Sequence, residues 1–228
     1  MTVTRQIIHM WHDLPPGPDA PDLVYTVVEV PRGSKNKYEY DKNLGLIRLD
    51  RVLFSAMYYP GDYGFIPQTY YDDGDPLDVI VMVGEPSFPG ALIVARPIGM
   101  FRMLDNGEPD DKILAVPHSD PLYEAYHDIS DIPRHYLNEV AHFFSVYKDL
   151  QGVKVTPVGW ENAASAKRAI THAMRLYQTE IRQLPPWLVS ATPGPTCTAV
   201  VTLVPLLLPA QAATATVGRA PLIAFTRA

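Results

Sequence analysis

Only one cysteine, Cys197, occurs among 228 residues, so no internal disulfide can form and a disulfide-stapled secreted fold is excluded. Long apolar runs are equally scarce. The longest, Val200 to Ala210, is broken by Thr202, Pro205 and Pro209 and falls short of the roughly 20 residues of a membrane helix. The opening MTVTRQIIHMWHDLPPGPDAPD has no basic stretch followed by an apolar one, which predicts no secretory signal and a cytoplasmic protein. Positive charge is in deficit, with Lys+Arg 19 against Asp+Glu 25 and a net −6. That balance disfavours a protein whose main task is to coat nucleic acid or an anionic membrane. Neither G-x-x-x-x-G-K-[ST] nor G-x-G-x-x-G occurs, which removes the ordinary nucleotide-binding folds. The seven histidines, His9, His12, His118, His127, His135, His142 and His172, lack zinc-ligand spacing and read as surface or packing residues.

What remains is a globular composition, 47% hydrophobic and 19% charged, and it divides in two. From Leu184 to Ala228 there is no Asp, Glu or Lys, and seven prolines fall too often for a regular helix or central strand. Residues 1–183 therefore hold 17 basic against 25 acidic residues, a net −8. The expectation is a folded domain over 1–183 and a Pro/Ala/Thr-rich, poorly ordered tail over 184–228.

Within 1–183 strands come first and helices last. Strand patterns cover Leu23–Val30, Lys37–Asp41, Leu46–Asp50, Val79–Val83, Ala91–Ala95, Pro97–Met103 and Ile113–Val116. Leu137, Val140, Ala141, Phe144 and Tyr147 share one helical face, with Pro133 near the first turn. Ile170, Ala173, Met174, Tyr177 and Ile181 share another, behind Asn162 as its cap. The expected fold is mainly β with flanking α (α+β): a small β-barrel decorated by two main helices.

The chemistry concentrates in Tyr71-Asp72-Asp73-Gly74-Asp75-Pro76-Leu77-Asp78-Val79. Four carboxylates in seven residues repel one another unless cations neutralise them. An exposed Asp-Gly turn would account for some of this, but not for Asp78 at the entrance of a purely apolar strand. Oxygen donors suit Mg²⁺ or Mn²⁺ rather than Zn²⁺. A calcium-binding EF-hand loop fails by count: from Asp73, position six is Asp78 rather than Gly, and position twelve is Gly84 rather than Glu. A second acidic group, Asp105 to Asp111, lies between two predicted strands, where it could converge with the first. Lys35, Lys37, Arg48 and Arg51 lie on or beside the early strands, and Lys37 and Glu39 share a face at period two. Mixed cations, tyrosines and metal-binding carboxylates suit a polyanionic phosphate substrate.

The segment Asp73 to Val79 resembles the signature of the soluble family I inorganic pyrophosphatases, D-x-D-P-x-D followed by an apolar residue, in their short bacterial and plant-type form. Further resemblance runs through Glu29-Val30-Pro31, Lys37-Tyr38-Glu39, Asp50-Arg51, Tyr59-Pro60, Tyr63-Gly64 and Asp105 to Lys112. It continues through Ala115-Val116-Pro117, His142-Phe143-Phe144, Tyr147 to Leu150 and Gly159 to Ala163, so that it spans roughly residues 20–180. The tail has no counterpart in it.

The resemblance implies a five-stranded OB-like barrel and Mg²⁺-dependent hydrolysis of pyrophosphate to two orthophosphates, by direct attack of a metal-activated water on phosphorus. Several Mg²⁺ ions are implied, with Mn²⁺ as a substitute, and so is a homo-oligomer, a hexamer in bacterial members, without nucleic acid or membrane partners. By position, Asp73, Asp78, Asp105, Asp110 and Glu29 match metal-binding residues, and Asp75 the general base. Lys37, Arg51, Tyr63, Lys112, Tyr147 and Lys148 match phosphate-contacting positions, and Glu39 and Tyr59 positions behind them. A catalytically inactive homologue serving as a binding or scaffold protein is the alternative. An OB-fold nucleic-acid binder fits the net −8 poorly.

Overall fold

A computed structural model describes residues 9–182. In chain order they form β1 (Val24–Val30), β2 (Asn36–Asp41), β3 (Leu46–Val52), β4 (Asp62–Phe65), β5 (Asp78–Val81), β6 (Leu92–Asp105), β7 (Glu108–Pro109), β8 (Lys112–Pro117), α1 (Arg134–Val146), β9 (Val155–Asn162) and α2 (Ala163–Leu176). Hydrogen bonding joins β1, β4, β5, β8 and β6 and then returns from β6 to β1, a closed ring of five strands. The β5–β8 pairing is parallel and the others are antiparallel. Closure removes the sheet edges that would otherwise need protection. β7 and β9 extend the sheet from β6, and β2–β3 forms a separate hairpin.

Strand alternation sorts the core into two faces. Ile80 on β5 and Leu114 and Val116 on β8 join Phe101, Phe143 and Phe144 beneath α1. Val79, Val81, Ile113 and Ala115 join Ala166, Ala169, Ile170 and Ala173 beneath α2. The alanine stripe brings α2 close to the sheet, and its Asn162 side chain caps the helix by accepting from the Ser165 N–H at 3.0 Å, as expected. Both expected helices form, α1 starting immediately after Pro133.

Besides the two-residue β7, which forms inside the expected acidic loop, three strands depart from the expected pattern. Ala91–Ala95 and Pro97–Met103 are one strand, β6, whose register shifts between Pro97 and Gly99; the bulge accommodates a residue with no N–H to donate. β4 goes unpredicted because Asp62-Tyr63-Gly64-Phe65 reads as a turn. Yet Gly64 is demanded there, since a Cβ would come within 1.9 Å of the Val27 carbonyl oxygen. β9 also goes unpredicted, because it contains Pro157 and Gly159; among the described residues it pairs only with β6, an edge position where proline is tolerated.

Among the described residues no helix is long and apolar enough to cross a membrane. The boundary expected at 183/184, the tail and Cys197 lie outside the described residues.

Candidate active site

The same alternation that builds the core aims the chemistry. Asp78 opens β5 and Lys112 opens β8, and the parallel register sets them side by side. Both lie two residues before core positions under α1, so their side chains emerge at the end of that face. Lys112, only 2% exposed, bridges Asp78 and Asp110. Tyr63, paired with Ile80 across the β4–β5 ladder, donates its hydroxyl to Asp78 Oδ2 at 2.5 Å.

Asp73 arrives on a tight turn. Gly74 adopts φ +84°, the left-handed region, and the Asp75 N–H donates to Asp73 Oδ1 at 3.0 Å. The second acidic loop turns back through Asn106 and Gly107, also at positive φ, and β7 pairs Glu108 with Asp105. This returns Asp110, whose N–H donates to the Met103 carbonyl, to the same place. One carboxylate oxygen each from Asp73, Asp78 and Asp110 lies within 4.8 Å of the others, so the two loops converge as expected. Asp105 stands beside this trio, paired with Lys148.

Two adjoining hollows open over these groups and share Lys37, Tyr63, Asp75 and Asp78. One extends to Glu29, Glu39 and Lys42, the other to Asp73, Asp105, Asp110, Lys112, Tyr147 and Lys148. Glu29 stands at a register shift in β1, a bulge that re-aims its side chain, and it accepts from the Tyr40 N–H at 2.6 Å. Lys37 and Glu39 do share a face, 2.5 Å apart. Tyr147 caps α1 and stacks on Phe143 at 5.2 Å, which fixes the position of Lys148 next to it. Two expected residues stand back. Arg51 lines a neighbouring depression with Asp105 and Lys148, and Tyr59 is buried between Tyr63 and Phe143.

Lys42 was not foreseen. It pairs with Asp75 while its ammonium lies 5.0 Å from the Trp11 ring centroid. Nothing in its turn at the end of β2 marks it, since its neighbours Trp11 and Asp75 are distant in sequence. Asn106 and Glu108, also in the lining, carry no sequence signal beyond their place in an acidic loop.

Crowding of like charge leaves an electrostatic signature. Burial, then the Asp78 charge, pushes Glu29 up to about 8. Desolvation of its inner side, then Asp78, pushes Asp73 up to about 7 although its outer side meets solvent. Burial also raises Asp78 and holds the Tyr59 and Tyr63 hydroxyls firmly protonated. Burial alone would lower Lys112, but Asp78 and Asp110 outweigh it and keep the ammonium charged. Such a site favours bound cations over bare carboxylates.

Known proteins point the same way. Residues 26–178 match the family model described as inorganic pyrophosphatase. The chain is 52% identical over 173 residues to the inorganic pyrophosphatase of Haloferax volcanii, covering 75% of this chain and 98% of that one. It is 48% identical over 175 residues to the soluble inorganic pyrophosphatase of Zea mays, covering 77% and 82%. The crystal structure of the Thermus thermophilus inorganic pyrophosphatase superposes with a TM-score of 0.73 at 42% identity, covering 75% of this chain and 99% of that one. The chain belongs to the soluble family I inorganic pyrophosphatases.

Proposed function

We propose that the protein hydrolyses inorganic pyrophosphate to two orthophosphates with the help of several Mg²⁺ ions. The observation that carries this reading is the convergence of Asp73, Asp78 and Asp110 within 4.8 Å, ringed by lysines. The three donors are carboxylate oxygens, which fits a hard dication, and Asp105 and Glu29, which line the same two hollows, complete the proposed donor set. Mg²⁺ held by these carboxylates would supply positive charge for a polyanionic substrate and lower the pKa of a bound water, making it a better nucleophile.

The chain's own groups do the rest. Asp75, between the two donors of its loop and facing both hollows, takes the proton of the attacking water. Lys112 pairs with Asp78 and Asp110 and Lys148 with Asp105; cations on those carboxylates would free both ammonium groups for phosphate oxygens, while Lys37 is presented to the substrate from its pair with Glu39. Tyr63 and Tyr147 add hydroxyl donors, Arg51 meets the substrate from the neighbouring depression, and Glu39 and Tyr59 hold Lys37 and Tyr63 in place. Positioning and charge stabilisation dominate. Leu44, Leu46, Leu49, Val52 and Phe54 are exposed along and just beyond the β2–β3 hairpin, which supports a homo-oligomer, a hexamer by resemblance. We place the reaction in the cytoplasm.

Asp75→Asn tests the assignment of the base. It keeps divalent-cation binding and loses about 10²–10⁴-fold in kcat near neutral pH. Full turnover at pH 7 in that variant removes Asp75 from the mechanism.

A further inference from the structure

Tyr71 and Asp111 lie behind the acidic cluster and line neither hollow. Tyr71 is 8% exposed and belongs to the core beneath α2, with its ring edge-on to His172 at 6.3 Å. Its backbone closes the turn that carries Asp73. The Tyr71 N–H donates to the Asp75 carbonyl at 2.8 Å, and its own carbonyl accepts from the Gly74 N–H at 2.9 Å. Its hydroxyl crosses to the other loop and donates to Asp111 Oδ2 at 3.0 Å.

Asp111 is 4% exposed and stands between Asp110 and Lys112, where alternation turns it away from the hollow that they face. Arg102 on β6 completes the contact. Its Nε lies 3.5 Å from Asp111 Oδ2, and its Nη1 donates to Glu161 Oε1 on β9 at 3.3 Å. A buried, charge-assisted hydrogen bond thus ties the loop of Asp73 to the loop of Asp110, and anchors both to the sheet.

A second tie between these loops runs through Lys112, which pairs with Asp78 and Asp110. That tie competes with a cation for the same carboxylates, whereas Tyr71–Asp111 uses none of the three converging groups. Like charges held within 4.8 Å push apart, and of the two ties only Tyr71–Asp111 leaves all three carboxylates free for a cation while it opposes that repulsion.

We propose that Tyr71, through Asp111, is a positioning residue that sets the spacing of the two acidic loops and thereby the affinity of the carboxylate cluster for a divalent cation. This rests on the metal reading given above. Contacts behind a metal's ligands are worth about 10–100-fold in affinity.

The test is isothermal titration of Mg²⁺ and of Mn²⁺ into the metal-free full chain, for wild type, Tyr71→Phe, Asp111→Asn and the double variant. Tyr71→Phe removes only the hydroxyl and preserves the ring's packing. The expected result is about a tenfold rise in the tightest Kd. At saturating Mg²⁺ its KM for pyrophosphate stays unchanged and its kcat within about twofold, a split that general loss of structure would not produce. Since both residues act through one bond, the double variant loses no more than the worse single one.

A folded Tyr71→Phe with wild-type Kd overturns the inference, and so do additive losses in the double variant. If wild type binds Mg²⁺, Asp78→Ala abolishes that binding and Tyr71→Phe leaves it untouched, the inference falls alone. If wild type binds no divalent cation, the metal reading falls and takes the inference with it.

Discussion

Glu29 and Asp73 show how strongly a single carboxylate in this site responds to burial and to its neighbours. Both titrate far above the ordinary carboxylate range, at about 8 and about 7, because burial and then the neighbouring Asp78 disfavour ionisation. In the unfolded chain each ionises near 4, so between pH 4 and 8 the folded state binds more protons than the unfolded one. Stability of the metal-free protein therefore falls as pH rises through this window. A dication held by these carboxylates would replace the protons and remove the penalty. Thermal unfolding in chelator is expected to give a lower midpoint at pH 8.5 than at pH 6, and Mg²⁺ to raise the midpoint more at the higher pH. A midpoint in chelator that is flat or rising over this range would show that the carboxylates are not in conflict. At this scale the signature Asp73 to Asp78 was legible because its chemistry is written in consecutive residues. Lys42 and the Tyr71–Asp111 bond were not, because each depends on partners brought together by the fold.

The elements were legible wherever a β-branched or apolar run was uninterrupted, as in β1, β5 and β8, and wherever a helical face and its cap coincided, as in α2. They were hidden where glycine or proline has a job in the pairing: Gly64 in β4, Pro97 in the bulge of β6, and Pro157 and Gly159 in β9. The most consequential element for the site is α1. Phe143 and Phe144 are each 1% exposed, and Phe143 supports both Tyr59 and the stacked Tyr147 from which Lys148 extends. Phe143→Ala should cost about 3–5 kcal/mol of stability through lost burial and a cavity. Its turnover should fall below that of an equally destabilised variant on the α2 face, Ile170→Ala. Denaturant unfolding and initial rates on both variants check this, and equal turnover would mean that α1 packing does not hold Tyr147 and Lys148 in place.

Among the described residues the proposed site gathers where β5 and β8 begin in the five-stranded ring. The proposed site residues run from Glu29 to Lys148, inside the 26–178 match to the family, and the closed ring joins loops that lie far apart in sequence. Residues 184–228 carry no acidic group or lysine and match none of these positions. Deleting them should leave the unfolding midpoint and kcat within error of the full chain, and a clear fall in both would move the domain boundary past residue 183. The central claim is that the converging aspartates hold Mg²⁺ for attack on pyrophosphate, and phosphate release measured against Mg²⁺ concentration tests it most directly. On the full chain, release should rise to saturation with Mg²⁺, vanish on chelation, and stay negligible in Asp78→Ala at every Mg²⁺ concentration. Release that survives chelation, recovery of Asp78→Ala at high Mg²⁺, or no release from the wild type would contradict it, the last pointing to an inactive homologue.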